Sequence, residues 1–328
     1  MTFFQAVNAY QRSAAIKTAV DLDLFTAIGE GASTPATIAE KTKAAERGVR
    51  ILCDFLVVNE FLLKENGQYA LTPDSEMFLN RKSQAYVGNA VEFLLNPKMF
   101  EAFGSLTEAV RSGGSALKES NVVPDDPVWI PFARSMMGFS FPMAQGTAGI
   151  VPLPDDRDSK VLDIAASHGL YGISIAKRHP RAHIVGLDWN SVLNLTKENA
   201  QRFGVAERYS TMAGSAFDVD FGSGYDAILL PNFLHHFNRA DCEKMLAKCR
   251  RALAPGGCVA IVEFVPNDDR VSPPASACFP MIMLATTPEG DAYTLRQYQE
   301  MVAAAGFKTP VDAYPLHPAE HLLILAKA

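Results

Sequence analysis

The chain has 328 residues, of which 48% are hydrophobic and 20% are charged, and its formal net charge is −6. This composition is typical of a globular protein, and the length predicts two domains. The negative charge argues against a nucleic-acid partner, whose phosphates favour a basic surface. The N-terminus has no basic signal segment, and no apolar run approaches about 18 residues, so we expect a cytoplasmic protein without a membrane partner.

The first part of the chain has the pattern of a winged helix. Thr34 and Pro35 are typical residues for a helix cap and a first helical position, and apolar spacing predicts a second helix over about 46–58. Asn66 and Gly67 then predict a hairpin turn. Residues 1–80 hold seven Lys and Arg against ten Asp and Glu, which favours an interaction role over DNA binding.

A helical region rich in Phe and Met follows over about 82–150, and it forms either plain core or the wall of an apolar pocket. Phe132 and Met136 belong to this region. The Pro- and Asp-rich segment 151–158 has the composition of a hinge. We expect a mainly helical winged-helix domain over 1–95 and a second domain over 96–328.

The second domain alternates strands and helices, which predicts a doubly wound, mostly parallel α/β sheet. The predicted strands cover 161–165, 183–188, about 208–212, 226–230, 258–264 and 322–325. The predicted helices cover 170–178, 191–203, 239–253 and 294–305. In such a sheet, ligands bind beyond the carboxyl ends of the strands.

The strand ending at Asp163 leads into small residues up to Gly169, and a second strand delivers Asp188 about 20 residues later, which is a nucleoside-binding arrangement. Ala, Ser and His168 stand where a dinucleotide requires glycine. S-adenosylmethionine has no phosphates and carries a positive charge that Asp163 would favour, so we expect it as the cofactor. Trp189 could cover the adenine.

Proton transfer is predicted at the next strand ends. His235 or His236 is the natural proton acceptor, because an imidazole titrates near neutrality. Glu263, after the neighbouring strand, could hold that imidazole. Between them, the segment 213–217 follows the third strand and could meet the purine edge. No metal is expected, because no partner with ligand spacing is near the two histidines.

Over nearly its whole length the sequence resembles the two-domain, S-adenosylmethionine-dependent O-methyltransferases that include the caffeic acid and hydroxyindole enzymes. The segment Leu234-His-His-Phe237 is similar to the family's L-H-D-W motif, and 163–169 is similar to its D-x-G-G-G-x-G turn. The resemblance implies a Rossmann-like class I methyltransferase fold, an N-terminal winged-helix dimerisation domain and a homodimer. It also implies that His235 is the general base and that Glu263 supports it.

The resemblance extends to two sets of binding residues. The cofactor set comprises Asp163, Ala165, Gly169, Asp188, Trp189, Gly214, Ser215, Ala216, Phe217, Pro231 and Asn232. The acceptor set comprises Phe132, Met136, Phe279, Ile282, Met283 and Thr287.

Several family positions differ here. The three consecutive glycines of the turn are Ala165, Ala166 and Ser167, the motif's Asp is His236, and a glutamate that flanks the catalytic histidine in plant members falls at Ala292, beside Asp291. The sequence therefore predicts methyl transfer to a hydroxyl of a small, aromatic acceptor. Two alternatives stay open: a carbon- or nitrogen-methyltransferase, and a non-catalytic winged-helix sensor that retains the nucleoside site.

Overall fold

The computed structural model describes residues 2–117, 129–317 and 321–328. The chain divides into two compact units, residues 1–97 and 98–328. The hinge-like segment 151–158 does not separate these units, because it joins a helix to the first sheet strand inside the second unit. Within the described ranges, no helix has both the length and the hydropathy to cross a bilayer.

The first unit is a helical bundle with one hairpin. Its elements are α1 (Thr2–Val7), α2 (Ala9–Asp21), α3 (Leu24–Gly29), α4 (Pro35–Thr42), α5 (Glu46–Val58), β1 (Leu62–Glu65), β2 (Gln68–Leu71), α6 (Pro73–Phe78) and α7 (Ala90–Leu94). Thr34 caps α4 in a reciprocal arrangement with Thr37. Asn66 and Gly67 form the β1–β2 turn, with φ of 50° and 81°. The helices and the hairpin share a core that includes Phe25, Ile38 and Leu56.

The second unit begins with three helices, α8 (Pro97–Gly104), α9 (Leu106–Ser112) and α10 (Trp129–Ile150). Strands and helices then alternate as predicted: β3 (Ser159–Ile164), α11 (Leu170–Arg178), β4 (Ala182–Asp188), α12 (Asn190–Arg202), β5 (Tyr209–Ala213), β6 (Tyr225–Pro231), α13 (Arg239–Ala252) and β7 (Leu253–Phe264). The chain ends with α14 (Pro274–Cys278), α15 (Pro280–Thr286), α16 (Leu295–Ala304), β8 (Asp312–Leu316) and β9 (His321–Lys327).

The seven strands form one sheet in the order β5-β4-β3-β6-β7-β9-β8. The first five are parallel, and β9 runs antiparallel to both β7 and β8. Core clusters cover both faces of this sheet, with residues such as Ile228 in one cluster and Leu229, its neighbour on β6, in the other. Alternate side chains of a strand point to opposite faces, so the doubly wound, mostly parallel fold predicted above is confirmed.

Two parts of the second unit differ from the prediction. Strand β7 begins at Leu253, so that the segment Pro255-Gly256-Gly257 lies inside the strand range instead of before it. The short strand β8 carries Pro315 and pairs only with β9 at the sheet edge, where a residue without an N–H is tolerated. Its weak apolar alternation explains why the sequence pattern did not indicate it.

Candidate active site

The predicted site residues come together because the sheet order places β4, β3, β6 and β7 side by side. These four strands are parallel, so their carboxyl ends meet at one edge of the sheet. Asp188 lies at the end of β4, the turn 165–169 follows β3, and His235 follows β6. Glu263 is the penultimate residue of β7. The fold therefore brings these residues to one edge of the sheet, as the sequence predicted.

The turn after β3 has backbone angles typical of glycine at two residues that are not glycine. Ala165 and Ser167 have φ of 53° and 54°, in the left-handed region that glycine occupies most readily, and Gly169 has φ of 77°. The Ser167 N–H donates to Asp188 Oδ2 at 2.7 Å, and Thr196 Oγ1 donates to the Ser167 carbonyl at 2.6 Å. These hydrogen bonds hold the turn over the end of β4, with the Asp188 carboxylate beside it.

Asp163 is completely buried beneath this turn. Its Oδ2 accepts the Gly172 N–H at 2.9 Å and the Tyr209 hydroxyl at 3.4 Å, whereas Oδ1 has no hydrogen-bond partner among the described residues. Burial raises the pKa of Asp163 to about 7, and the nearby Asp188 adds to the rise. A buried carboxylate with an unsatisfied oxygen would be stabilised by a positively charged ligand at the turn.

His168 has a structural position in the same turn. Its Nδ1 accepts the Leu170 N–H at 3.2 Å at the start of α11, and its carbonyl accepts from Asn199 Nδ2 at 2.8 Å. Burial lowers the pKa of His168 to about 4, so the imidazole is neutral at pH 7. The ring therefore brings no positive charge to the helix N-terminus, and it stands where close approach of a diphosphate requires glycine.

The segment after β5 closes the same edge. The Gly214 N–H donates to the Asp188 carbonyl at 3.0 Å, and the Ser215 hydroxyl accepts the Phe217 N–H at 3.2 Å. Ala216 is buried, whereas Phe217 is 37% exposed and its ring contacts Phe237 at 4.9 Å. Ser215 therefore uses its hydroxyl within the turn.

His235 and Glu263 are in contact, as the sequence predicted. His235 Nδ1 lies 2.5 Å from Glu263 Oε2, and Glu263 Oε1 accepts the N–H groups of Leu234 and His235 at 2.9 and 3.3 Å. Glu263 is fully buried and His235 is 4% exposed. A carboxylate only accepts hydrogen bonds, so the partner nitrogen Nδ1 carries the ring proton and Nε2 keeps a lone pair for a substrate proton.

Pro231 and Asn232 link the two halves of the site. Pro231 is the last residue of β6, and Asn232 has φ of 51°, which turns the chain towards His235. The Asn232 N–H donates to the Val262 carbonyl at 2.8 Å, and its Oδ1 lies 3.1 Å from His321 Nε2. No sequence signal indicated His321, which reaches the site only because β9 inserts next to β7.

The predicted acceptor residues differ in what they contact. The ring of Phe279 stands edge-on to that of His235, with the ring centres 4.8 Å apart. Thr287 supports the backbone instead: its hydroxyl donates to the Met283 carbonyl and accepts the Gly290 N–H. The other members are Phe132, Met136 and Ile282, which are half-buried on α10 and α15, and Met283, which is buried on α15.

Asp291 and Ala292 occupy the positions where the family glutamate was expected. Ala292 is completely buried, and the Asp291 N–H donates to the His235 carbonyl at 3.0 Å. The Asp291 carboxylate lies 3.2 Å from Arg270 in an ion pair that is about a third exposed on both sides. The Asp291 backbone thus holds the His235 backbone, and the Asp291 carboxylate forms an ion pair with Arg270.

A separate surface cleft of about 500 Å³ lies at the opposite, amino-end edge of the sheet, lined by residues such as Ser159, His183 and Tyr209. Two of its arginines already have partners, since Arg157 pairs with Asp226 and Arg208 donates to backbone carbonyls. The chemistry argued above lies at the carboxyl-end edge, so we take that edge as the candidate active site.

Comparison with known proteins finds matches over both units of the chain. Residues 157–308 match the model of an O-methyltransferase domain, and residues 4–81 match that of an O-methyltransferase dimerisation domain. The crystal structure of a candidate O-methyltransferase from Nostoc punctiforme is 50% identical, covers 100% of this chain and 98% of its own, and has a TM-score of 0.95.

Two more distant proteins are similar over most of this chain. The 3-hydroxy-5-methyl-1-naphthoate 3-O-methyltransferase of Streptomyces sahachiroi is 27% identical over 89% of this chain and 84% of its own. Human N-acetylserotonin methyltransferase, solved in complex with S-adenosylmethionine, is 20% identical, covers 99% of this chain and 96% of its own, and has a TM-score of 0.85.

Proposed function

Because the chain belongs to the S-adenosylmethionine-dependent O-methyltransferase family, we propose that it methylates a hydroxyl of a small aromatic acceptor with His235 as general base. The observation that carries this proposal is the buried His235–Glu263 pair, 2.5 Å apart, at the strand ends beside the cofactor turn. A phenol must lose its proton as the new bond forms, and His235 Nε2 is the free basic atom of that pair.

The turn fits a cofactor that has a positive charge and no phosphates. The unsatisfied Oδ1 of the buried Asp163 favours a positive charge, whereas the neutral His168 at the helix start offers nothing to a diphosphate. We propose that Asp188 holds the ribose hydroxyls, that Trp189 covers the adenine, and that the remaining members of the predicted cofactor set line the same site. When bound, S-adenosylmethionine supplies a methyl group already activated on a sulfonium.

The protein's own contributions are positioning and proton removal. Intramolecular reactions show that correct positioning can contribute about 7–11 kcal/mol, which makes it the larger effect. Phe279, edge-on to His235, would orient a flat acceptor towards the base. Glu263 orients the imidazole through Nδ1 and would stabilise the cation that forms when His235 takes the proton.

The direct test is methyl transfer by the purified protein to a panel of hydroxylated aromatics, followed by mass spectrometry. We expect His235→Ala to lower turnover by about 10² to 10⁴, the usual contribution of a general base, while the dissociation constant for S-adenosylmethionine stays unchanged. His183→Ala is the matched control, because His183 is exposed and lies on the opposite edge of the sheet. Unchanged turnover in His235→Ala would exclude His235 as the base.

We also propose that the first unit forms a homodimer. Its residues 4–81 match the family's dimerisation domain, and its first two helices expose large apolar side chains, including Phe3 and Phe4 at 71% and Tyr10 at 62%. Light scattering at micromolar concentration should give twice the mass of one chain. A monomer mass would contradict the proposal.

A further inference from the structure

Arg270, in the loop after β7, makes four hydrogen bonds that the proposed mechanism does not use. Its Nη1 lies 3.2 and 3.4 Å from the two Asp291 carboxylate oxygens and 3.1 Å from the Ala292 carbonyl oxygen. Its Nη2 donates to Gln297 Oε1 at 2.8 Å. The Arg270 backbone has a φ of 60°, which is unfavourable for a residue with a β-carbon and persists only where surrounding contacts hold it. Two of the three partners lie in the segment that packs against His235.

Residues 289–293 form a supporting segment for the turn that carries His235. Three hydrogen bonds join it to residues 235–238: the Asp291 N–H donates to the His235 carbonyl at 3.0 Å, Tyr293 Oη donates to the Phe237 carbonyl at 2.7 Å, and Asn238 Nδ2 donates to Glu289 Oε2 at 2.7 Å. The first of these bonds joins two backbone groups, so it fixes the main chain of the candidate base itself.

The supporting segment lies directly against this turn. A β-carbon at Gly290 would lie 2.4 Å from the His235 carbonyl oxygen and 2.5 Å from Thr287 Oγ1, so only glycine fits there without a shift. The Gly290 N–H donates to the Thr287 hydroxyl at 2.9 Å, which fixes the start of the segment. A displacement of the segment therefore moves the His235 backbone, because no space separates the two.

Arg270 joins the supporting segment to two fixed parts of the fold. Its own loop follows β7, the strand that carries Glu263. Its partner Gln297 is in α16, where the same Oε1 also accepts the Thr294 N–H in a capping box. The side chains of Arg270 and Asp291 are both 38% exposed, so their ion pair contributes little to stability. A planar guanidinium with several acceptors fixes a position instead.

We propose that Arg270 is a positioning residue for methyl transfer, which holds the supporting segment and thereby the His235 imidazole in place. The family's glutamate beside the base is Ala292 here, which has no carboxylate. The support therefore reaches His235 through the main-chain N–H of Asp291, which Arg270 holds. No sequence motif indicated Arg270. This inference rests on the proposed function, because His235 is the base assigned there.

Arg270→Met removes the four hydrogen bonds and keeps most of the side-chain length. Turnover is measured with whichever hydroxylated aromatic of the panel the unchanged protein methylates fastest. We expect kcat to fall about tenfold, because a displacement of about 1 Å can cost about 10²-fold. The KM for the acceptor and the dissociation constant for S-adenosylmethionine should change less than about twofold. Arg270→Lys, which keeps the charge beside Asp291, should recover part of the loss.

Arg296→Met is the matched control. Arg296 lies 3.5 Å from Asp268 and so joins the same loop to the same helix, but among the described residues no hydrogen bond or ion pair links it to the supporting segment. Its kcat should equal that of the unchanged protein. An equal fall in kcat for Arg296→Met and Arg270→Met would overturn the inference, since any contact between loop and helix would then serve.

Asp291→Asn tests whether Arg270 acts through the supporting segment. The substitution removes the carboxylate and keeps the N–H that binds the His235 carbonyl, so we expect a smaller fall in kcat of about threefold. The double variant with Arg270→Met should lose no more than Arg270→Met alone, because both changes break one contact. Losses that multiply in the double variant would overturn the inference.

The position of His235 is also measurable without methyl transfer. The proton on His235 Nδ1 lies in a 2.5 Å hydrogen bond to Glu263, and such a short, charge-assisted bond gives a proton NMR signal at unusually low field. The signal is assigned by its absence in His235→Ala, in the full-length protein with S-adenosylhomocysteine present. It should shift in Arg270→Met and stay unchanged in Arg296→Met.

The two readouts separate this inference from the proposed function. In a protein that methylates an acceptor, an unchanged kcat or an unchanged NMR signal in Arg270→Met would overturn the inference, and so would a fall in kcat that matches a fall in cofactor sites per chain. Without methyl transfer to any panel member, the NMR signal alone decides the positioning, and the failure belongs to the proposed function. Should Arg270→Met not fold, the same readouts on Asp291→Asn decide.

Discussion

The two halves of the candidate site depart from the family motifs in different ways. In the cofactor turn, Ala165 and Ser167 replace glycines, yet both keep a left-handed backbone with φ of 53° and 54°. At the catalytic end, His235 and Glu263 keep the family's residue types, and the next residue changes from an acid to His236. The turn therefore preserves a backbone shape at the cost of strain, whereas the catalytic end preserves two side chains and changes the motif's Asp and Trp to His236 and Phe237.

This difference shows which changes each half tolerates. The turn depends on close approach of the backbone, so a small side chain is acceptable if the main chain keeps its path. The catalytic end acts through individual side-chain atoms, and Glu263 alone accepts three N–H donors from Leu234 and His235. We therefore expect the largest effects of substitution at the catalytic end and the smallest in the turn.

Glu263→Gln should have the largest effect on stability. It replaces one acceptor oxygen by an NH₂ group that must face an N–H donor, inside a site that is fully buried. Leaving a buried hydrogen-bonding group unpaired typically costs about 1–3 kcal/mol, and Glu263 accepts three such bonds, so we expect a loss of roughly 3 kcal/mol in the free energy of unfolding, with a fall in turnover. Urea denaturation measures the first quantity.

Glu243→Gln is the control for that substitution. Glu243 is on the outer face of α13, where its partner Arg239 is 45% exposed, and a surface ion pair contributes at most about 1 kcal/mol. Similar losses in the free energy of unfolding for Glu243→Gln and Glu263→Gln would mean that the buried Glu263 contributes no more to stability than an exposed ion pair.

The sequence was sufficient for the fold and for most of the site because each signal was local. Strand ends, small residues and a carboxylate after a fixed interval predict Asp163, Asp188, His235 and Glu263 at one edge of the sheet. Long-range packing was not predictable in this way. His321 reaches Asn232 from the other end of the chain because β9 pairs with β7.

Burial was the other property that the sequence pattern did not reveal. Asp163 was expected as a ligand-facing carboxylate, and the structure places it under the turn with no exposed surface. Similarly, nothing in the sequence distinguishes the neutral His236, which packs against Trp129, from a solvated histidine. Such differences depend on which residues from distant segments cover a side chain.

The pH dependence of stability tests the turn itself. The folded-state pKa of Asp163 is raised to about 7, above about 3.9 in the unfolded chain, so the folded state holds an extra proton between these pH values. This contribution is complete below about pH 4, and it is lost as the pH rises through 7. The pKa of His168 is lowered to about 4, so its contribution grows as the pH rises from about 4 to 6.5.

The two contributions oppose each other over most of this range, and single variants should separate them. Relative to the unchanged protein, we expect the free energy of unfolding of Asp163→Asn to rise more steeply with pH between about 4 and 6.5. The free energy of unfolding of His168→Asn should fall over the same pH range relative to that of the unchanged protein. Each substitution should change the slope by at most about 1.4 kcal/mol per pH unit. Denaturation at a series of pH values measures both. Parallel profiles for the three proteins would contradict the burial of these groups.

The smallest effects are expected from Ala165→Gly and Ser167→Gly. Glycine adopts a positive φ without steric cost, so each substitution should stabilise the folded protein by about 0.5–1 kcal/mol. Ala166→Gly is the matched control in the same turn, because Ala166 has no positive φ and is 97% buried. Its loss of a packed methyl group and its added chain entropy should destabilise the protein by about 1 kcal/mol.

Opposite signs at neighbouring alanines would show that strain, not side-chain packing, is what the turn retains from the family's glycine motif. Equal losses at Ala165 and Ala166 would instead mean that the β-carbon of Ala165 packs as usefully as that of Ala166. In either case we expect the dissociation constant for S-adenosylmethionine to change less than about threefold, because all three variants can keep the backbone path of the turn.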